Sequence, residues 1–294
     1  MKKLTKWWIL SIACLAISGI AVGCSDSDDN NNGAGGTGGS AGHAGTGGTG
    51  GTGGTGGTGG TGGTGGTGGQ VEPVTISGHL AQNPLATGAA PSFEGLNVRV
   101  VDPAARLATP PTPGILGSGT TDADGKFTIE NVDLSNLQLG AVITVEGNDD
   151  IATSTMGLCD KTPALPCEAK TDFTTFVVPK TLVDTLATNL DNDTLLADGF
   201  VLGLITEDGQ PLSGVSIGDA IAPSTTFLDA DLKPIAAGDA TGASGAYVAQ
   251  PPAGEIKTVV PDKDGFTFVP PFQPAARTPD VVFQQFFVGT PTTP

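Results

Sequence analysis

Histidine, tyrosine and tryptophan are nearly missing from this chain: two, one and two residues in 294. Both tryptophans, Trp7 and Trp8, sit in the apolar start, which leaves Tyr247 as the only Trp or Tyr beyond it. Sugar-binding surfaces stack ligands on Trp or Tyr faces, so a carbohydrate module is disfavoured. The histidines, His43 and His79, are isolated. A zinc hydrolase needs His and Glu ligands around a cleft, and a serine or cysteine triad needs a histidine base. Only His79 falls in ordered-looking sequence, and nothing beside it marks a nucleophile, so it reads as a strand residue. Cations are also scarce. Thirteen Lys and Arg face 30 Asp and Glu, for a net charge of −17, which repels nucleic acid and anionic lipid surfaces. The expectation is a chain with no catalytic residues, no cofactor and no nucleic-acid partner.

The N-terminus is informative. Lys2, Lys3 and Lys6 precede an apolar run, Trp7 to Val22, and then Ala21-Val22-Gly23-Cys24 leads into Ser25, Asp26, Ser27, Asp28 and Asp29. Such a segment is a targeting device rather than part of a fold. The stretch resembles the lipobox of bacterial lipoproteins, with residues 1–23 as signal peptide. The resemblance implies a mature chain starting at Cys24, acylated with palmitate-type chains and anchored to a membrane. Each buried methylene contributes about 0.8 kcal/mol, so several chains hold almost irreversibly. An ordinary cleaved signal peptide or an uncleaved membrane helix is the alternative. Ser25, rather than Asp, after the cysteine favours the outer membrane within this resemblance. On the same reading Cys14 is discarded and Cys24 modified, which leaves Cys159 and Cys167. In an oxidising compartment they read as a disulfide; two free buried thiols are the alternative.

Residues 24–70 contain almost no apolar side chain larger than alanine, and Thr46 to Gly69 is eight copies of Thr-Gly-Gly. Glycine costs most to order and offers nothing to bury, so a disordered tether is expected, with a root-mean-square reach of ~35–40 Å. Glycine strings arise here by composition, and without a flanking strand and helix they signify no phosphate loop.

From Val71 onward, period-2 alternation, β-branched residues and Gly/Pro/Asp punctuation predict a mainly β fold. Strands are expected over Val74–Leu80, Leu96–Val101, Lys126–Glu130, Ala141–Glu146, Thr171–Val178, Phe200–Thr206, Val215–Ile217, Gly245–Val248, Ile256–Val260, Phe266–Phe268 and Val281–Phe287. The length suits two sandwiches, over 71–190 and 191–294. The order also repeats. Thr121-Asp-Ala-Asp-Gly125-Lys-Phe127 matches Thr241-Gly-Ala-Ser-Gly245-Ala-Tyr247, each a turn closed by glycine before a strand that opens on an inward aromatic. Gly78 and Gly95 correspond to Gly203 and Gly214.

Gly203-Leu-Ile-Thr-Glu-Asp208-Gly209-Gln-Pro211-Leu-Ser-Gly214-Val-Ser-Ile217, with the Gly245 turn, resembles a carboxypeptidase regulatory-like domain. Val74 to Gly147 resembles it more loosely, with a longer Ala81–Phe93 loop in place of the Asp208-Gly209 turn. The resemblance implies transthyretin-like (Ig-like) β-sandwich modules and no peptidase activity.

Between these modules, over Asp149 to Ala197, Leu182, Leu186 and Leu190 after Pro179 predict a short helix with its leucine stripe packed on a sheet rather than open to a partner. Asp191–Thr194 reads as the interdomain turn. Asp122 and Asp124 are the best metal candidates, but a calcium loop laid over them puts Thr120 and Asn131 where anchoring acids belong. They read first as turn residues; Asp191/Asp193 and Asp262/Asp264 are weaker still. The sequence thus points to a lipid-anchored, non-catalytic envelope protein whose β modules bind an envelope protein or matrix ligand, or serve adhesion or envelope structure. An accessory module of an envelope enzyme or transporter, and a weakly calcium-responsive surface protein, are the other readings.

Overall fold

Strands dominate, as the alternation requires. A computed structural model of the protein describes residues 72–292 without 108, 109, 111, 161–165, 219–220, 236–239 and 271–272, all within one structural unit. Cys24, the Thr-Gly-Gly repeats and His43 lie outside the described residues.

The first half contains β1 (Val74–Gln82), β2 (Asn97–Val101), β3 (Ile115–Thr120), β4 (Lys126–Val132), β5 (Ala141–Val145), β6 (Ile151–Ala152), β7 (Ser154–Cys159) and β8 (Lys170–Pro179). Three helices are short: α1 (Pro103–Leu107), α2 (Lys180–Asn189) and α3 (Leu195–Asp198). The second half contains β9 (Phe200–Glu207), β10 (Gln210–Pro211), β11 (Ser216–Ile217), β12 (Thr225–Phe227), β13 (Ala246–Ala249), β14 (Ile256–Val259), β15 (Pro261–Asp262), β16 (Phe266–Val269), β17 (Gln273–Ala276) and β18 (Val282–Pro291).

In the first half a four-stranded sheet, β4-β1-β8-β6, faces β7-β5-β2-β3. Alternate residues point inward from both. Ile76 and Leu80 of β1, Val98 and Val100 of β2, Phe127 and Ile129 of β4 and Ile143 and Val145 of β5 form one buried cluster. The segment 149–179 is not a connection: β7 and β8 are full members of the two layers.

The second sheet does not stop at the first half. Its order, β12-β13-β9-β18-β7-β5-β2-β3, runs through both modules. β18 makes the join. It lies parallel to β9 from Val282↔Phe200 to Val288↔Thr206, and parallel to β7 from Val282↔Ser154 to Gln284↔Met156. The two faces of this sheet serve different cores. Val98 and Val100 face the first core, whereas Val101 and Val142 turn the other way and join Val201, Ile205, Tyr247, Phe283 and Phe287 in the second. Opposite that second core, Phe200, Leu202, Ala246, Val248 and Val282 pack under Leu182, Val183 and Leu186 of α2. The predicted leucine stripe is therefore buried on a sheet. Covered on both sides, β9 reads as the near-continuous apolar run Phe-Val-Leu-Gly-Leu-Ile, because neither face meets water.

The sequence repeat is a structural repeat. β1 pairs antiparallel with β4 and parallel with β8; β9 pairs antiparallel with β13 and parallel with β18. Gly78 lies opposite Phe127 and Gly203 opposite Tyr247. The hydrogen bonds repeat as well. Thr121 Oγ1 accepts from Leu96 N and donates to Phe93 O; Thr241 Oγ1 accepts from Val215 N and donates to Leu212 O. Gly95 N and Gly214 N donate to the carbonyls of the same two threonines. The Asp208-Gly209 turn has φ of 48° and 76°, the left-handed pair that a tight two-residue hairpin demands, and it joins β9 to β10.

Candidate functional site

The residues singled out by chemistry in the sequence are dispersed. The His79 ring, half-buried on β1, lies 3.3 Å from Thr174 Oγ1. Asp122 Oδ1 accepts from Asp124 N at 2.9 Å and from Lys126 N at 2.8 Å, which is how a short carboxylate shapes a turn. Asp124 faces Lys126 at 3.8 Å. Asp229-Ala-Asp231-Leu-Lys233 builds the same turn, with Asp229 Oδ1 accepting from Asp231 N and Lys233 N. Among the described residues no three His, Cys, Asp or Glu side chains are grouped to hold a metal ion. Cys159 and Cys167 form a disulfide.

What the structure does bring together is a set of amides at the module junction. β18 carries two adjacent glutamines, both buried. Strand alternation sends them to opposite faces. Gln284 turns toward the first module, where its Oε1 accepts from Asn83 Nδ2 at 2.8 Å and its Nε2 donates to Phe176 O at 2.7 Å. Asn83 Oδ1 in turn caps Leu85 N. Gln285 turns into the second core. Its Oε1 accepts from the Tyr247 hydroxyl at 2.6 Å, and its Nε2 donates to Pro274 O at 2.6 Å. Phe286, back on the first-module side, packs on Phe176 with ring centroids 4.5 Å apart. A third glutamine, Gln273 of β17, donates from Nε2 to Phe286 O at 2.7 Å, next to the stretch where β7 has left β18 and β16 has not yet joined it.

Burial without a charged partner pushes the Tyr247 phenol far above its usual range, so it stays neutral and donates. The opposite shift occurs on the surface, where hydrogen bonds from the Ser135 hydroxyl and amide hold the Asp133 carboxyl below its ordinary value.

Beside Phe283 the modules part and leave an apolar cavity of 210 Å³. Its floor is the outer face of β5 and β7, at Ala141, Val142 and Gly157; its opposite wall is Ile256, Thr258, Pro274 and Ala276 of the β14–β17 pair. Pro103, Leu139, Cys159, Asp160 and Gln273 complete it. Sequence reasoning overlooked Asn83, Gly157 and the glutamine pair. Two adjacent glutamines within the apolar run of β18 were the available signal, since amides inside a buried strand need partners supplied by the fold.

No family model matches this chain, and no curated protein matches it. Solved structures resemble it at low identity. The shaft pilin SpaA of Lactobacillus rhamnosus GG is 12% identical over 76% of this chain and 99% of that one, with a TM-score of 0.21. A streptococcal ancillary pilin is 11% identical over 74% and 69%, with a TM-score of 0.23. The Bacillus anthracis TIE protein is 10% identical over 75% of this chain and 34% of its own, with a TM-score of 0.22. Likeness at this level does not carry a pilin's role over to this chain.

Proposed function

We propose that this is a non-catalytic protein of the cell envelope, lipid-anchored through Cys24, that presents a fused pair of β-sandwich modules for binding, adhesion or envelope structure. The observation that carries the reading is the strand β18. By pairing with β9 and β7 at once it makes the modules one continuous sheet, so a force applied to either half passes through backbone hydrogen bonds rather than a flexible hinge. That suits a structural or adhesive element held off a surface on a Gly-rich tether, and it is more than an enzyme's regulatory appendage needs. The repeated turn, glycine and threonine network supports assigning both halves to a carboxypeptidase regulatory-like, transthyretin-like type of module. The outer membrane, entered through the lipobox-like segment, is the proposed location, and an envelope protein or matrix component the proposed partner.

Mass spectrometry of the full chain isolated from membranes tests the anchor. An acylated Cys24 at a new N-terminus is expected; an unmodified Cys24 thiol, or a precursor recovered intact from the soluble fraction, refutes it. The non-catalytic reading is tested with ester, amide and glycoside substrates: turnover abolished by His79→Ala would overturn it.

A further inference from the structure

Gly157 lies near the middle of β7, where glycine weakens a strand and commonly marks a close approach or a bound ligand. Nothing local demands it. Its φ lies outside the left-handed region, so the bulge opposite Ala141 and Val142 accepts any side chain. Close backbone packing does not demand it either, because a Cβ built there meets no atom within 4 Å. Gly78 and Gly203 are different: an added Cβ at either lands 2.0 Å from Phe173 O or Tyr247 Cζ. What glycine does at 157 is leave the floor of the junction cavity open.

We propose that this cavity is a binding site for a small, uncharged apolar molecule, the size of one aromatic ring or a chain of roughly six to eight carbons. Volume sets the size. An aliphatic cavity of about 150 Å³ takes one benzene, and this one measures 210 Å³. The wall sets the polarity, since Val142, Ile256, Ala276 and Phe283 offer no hydrogen bond from their side chains. Charge excludes an anionic head group. No Lys or Arg is among the described lining residues, so a carboxylate brought here loses hydration and gains no cation from them. The site is also continuous with the junction, because Phe283 at its back directly precedes Gln284, so an occupant touches both modules.

The test uses the full chain with labelled methyl groups, titrated with toluene and separately with hexanoate. Saturable shifts at Ala141, Val142 and Ile256, with Ile129 of the first core unmoved, are expected for toluene. Hexanoate should bind about tenfold more weakly or worse. Gly157→Val, which fills the floor, should weaken toluene binding by about tenfold or more, and Ala276→Leu should do the same from the opposite wall. No saturable shift with toluene, equal binding of hexanoate, or unchanged affinity in either folded variant overturns the proposal. Should neither variant fold, the methyl map and the toluene-to-hexanoate ratio of the unmodified chain decide it.

Discussion

Asn83 Nδ2 donates to Gln284 Oε1 at 2.8 Å across 201 residues of sequence, and both side chains are buried. The bond ties the end of the first strand to the last strand described. Because its flanking groups are also satisfied, by Leu85 N on one side and Phe176 O on the other, the pair forms a complete buried network rather than a lone contact. Asn83→Ala leaves Gln284 Oε1 and Leu85 N without these partners, which should cost about 1–3 kcal/mol in urea unfolding. A cycle with Gln284→Ala should return a coupling of about 0.5–3 kcal/mol. Additive single changes would mean that the amides do not communicate.

Gly203→Ala and Gly78→Ala should each destabilise by about 3 kcal/mol or more, because the new methyl group falls 2.0 Å from a ring carbon or a backbone oxygen inside a packed core. Gly209→Ala, exposed and with open space above it, meets only the milder strain of its positive φ. Thermal unfolding of the three variants should rank them accordingly.

The two threonines should behave alike. Thr121→Val and Thr241→Val each keep the shape and remove a hydroxyl that accepts one backbone amide and donates to one carbonyl. A loss of about 1–3 kcal/mol is expected for each. Circular dichroism melts showing one position sensitive and the other indifferent would contradict the equivalence of the two turns.

Tyr247 is the only tyrosine, so its ionisation can be followed alone. Unfolded, the phenol ionises near 10.0; folded, burial holds it neutral well beyond that. Its contribution to stability is intact below pH 10.0 and falls as pH rises past it, by up to about 1.4 kcal/mol per pH unit. Phenolate absorbance should therefore appear together with unfolding, not before it, and Tyr247→Phe should flatten the alkaline slope. Absorbance that rises near pH 10 while the fold persists would show the hydroxyl to be accessible.

Reducing the Cys159–Cys167 disulfide releases a loop with a sequence separation of 8. Chain entropy assigns such a closure about 2.5 kcal/mol. Unfolding with and without reductant measures it, and a shift near zero would mean that the thiols alone hold the loop.

Much of this architecture can be read in the chain. The alternators β1, β2 and β4 are visible because the pleat sorts their side chains, β5 and β9 are visible as short apolar runs bounded by turn residues, and the paired turns are visible because glycine, threonine and a following aromatic leave a pattern. β3 and β7 are hidden for one reason: glycine takes the place of the side chains that would announce them. Gly117 and Gly119 of β3 let Ile129 and Thr128 of β4 approach closely, so the alternation is erased where the sheets meet. Gly157 also interrupts the pattern of β7, there with no atom within 4 Å of where its Cβ would stand. The α2 leucines are recognisable as a stripe, but not all that they cover, since Ala246, Val248 and Val282 lie far along the chain. The amide network at the junction is hidden more deeply. Glutamine looks like a surface residue until the residue just past β1, 201 positions away, proves to be an asparagine that donates to it.

The position of β18 also has a temporal side. Synthesis delivers the chain from its N-terminus, so β7 and β9 both emerge before the strand that separates them. During that interval each presents an unpaired edge, the kind that recruits strands from other molecules. A frameshift or stop codon before Val282 would therefore injure the earlier module as well as the later one, although every strand up to Pro179 had been made correctly.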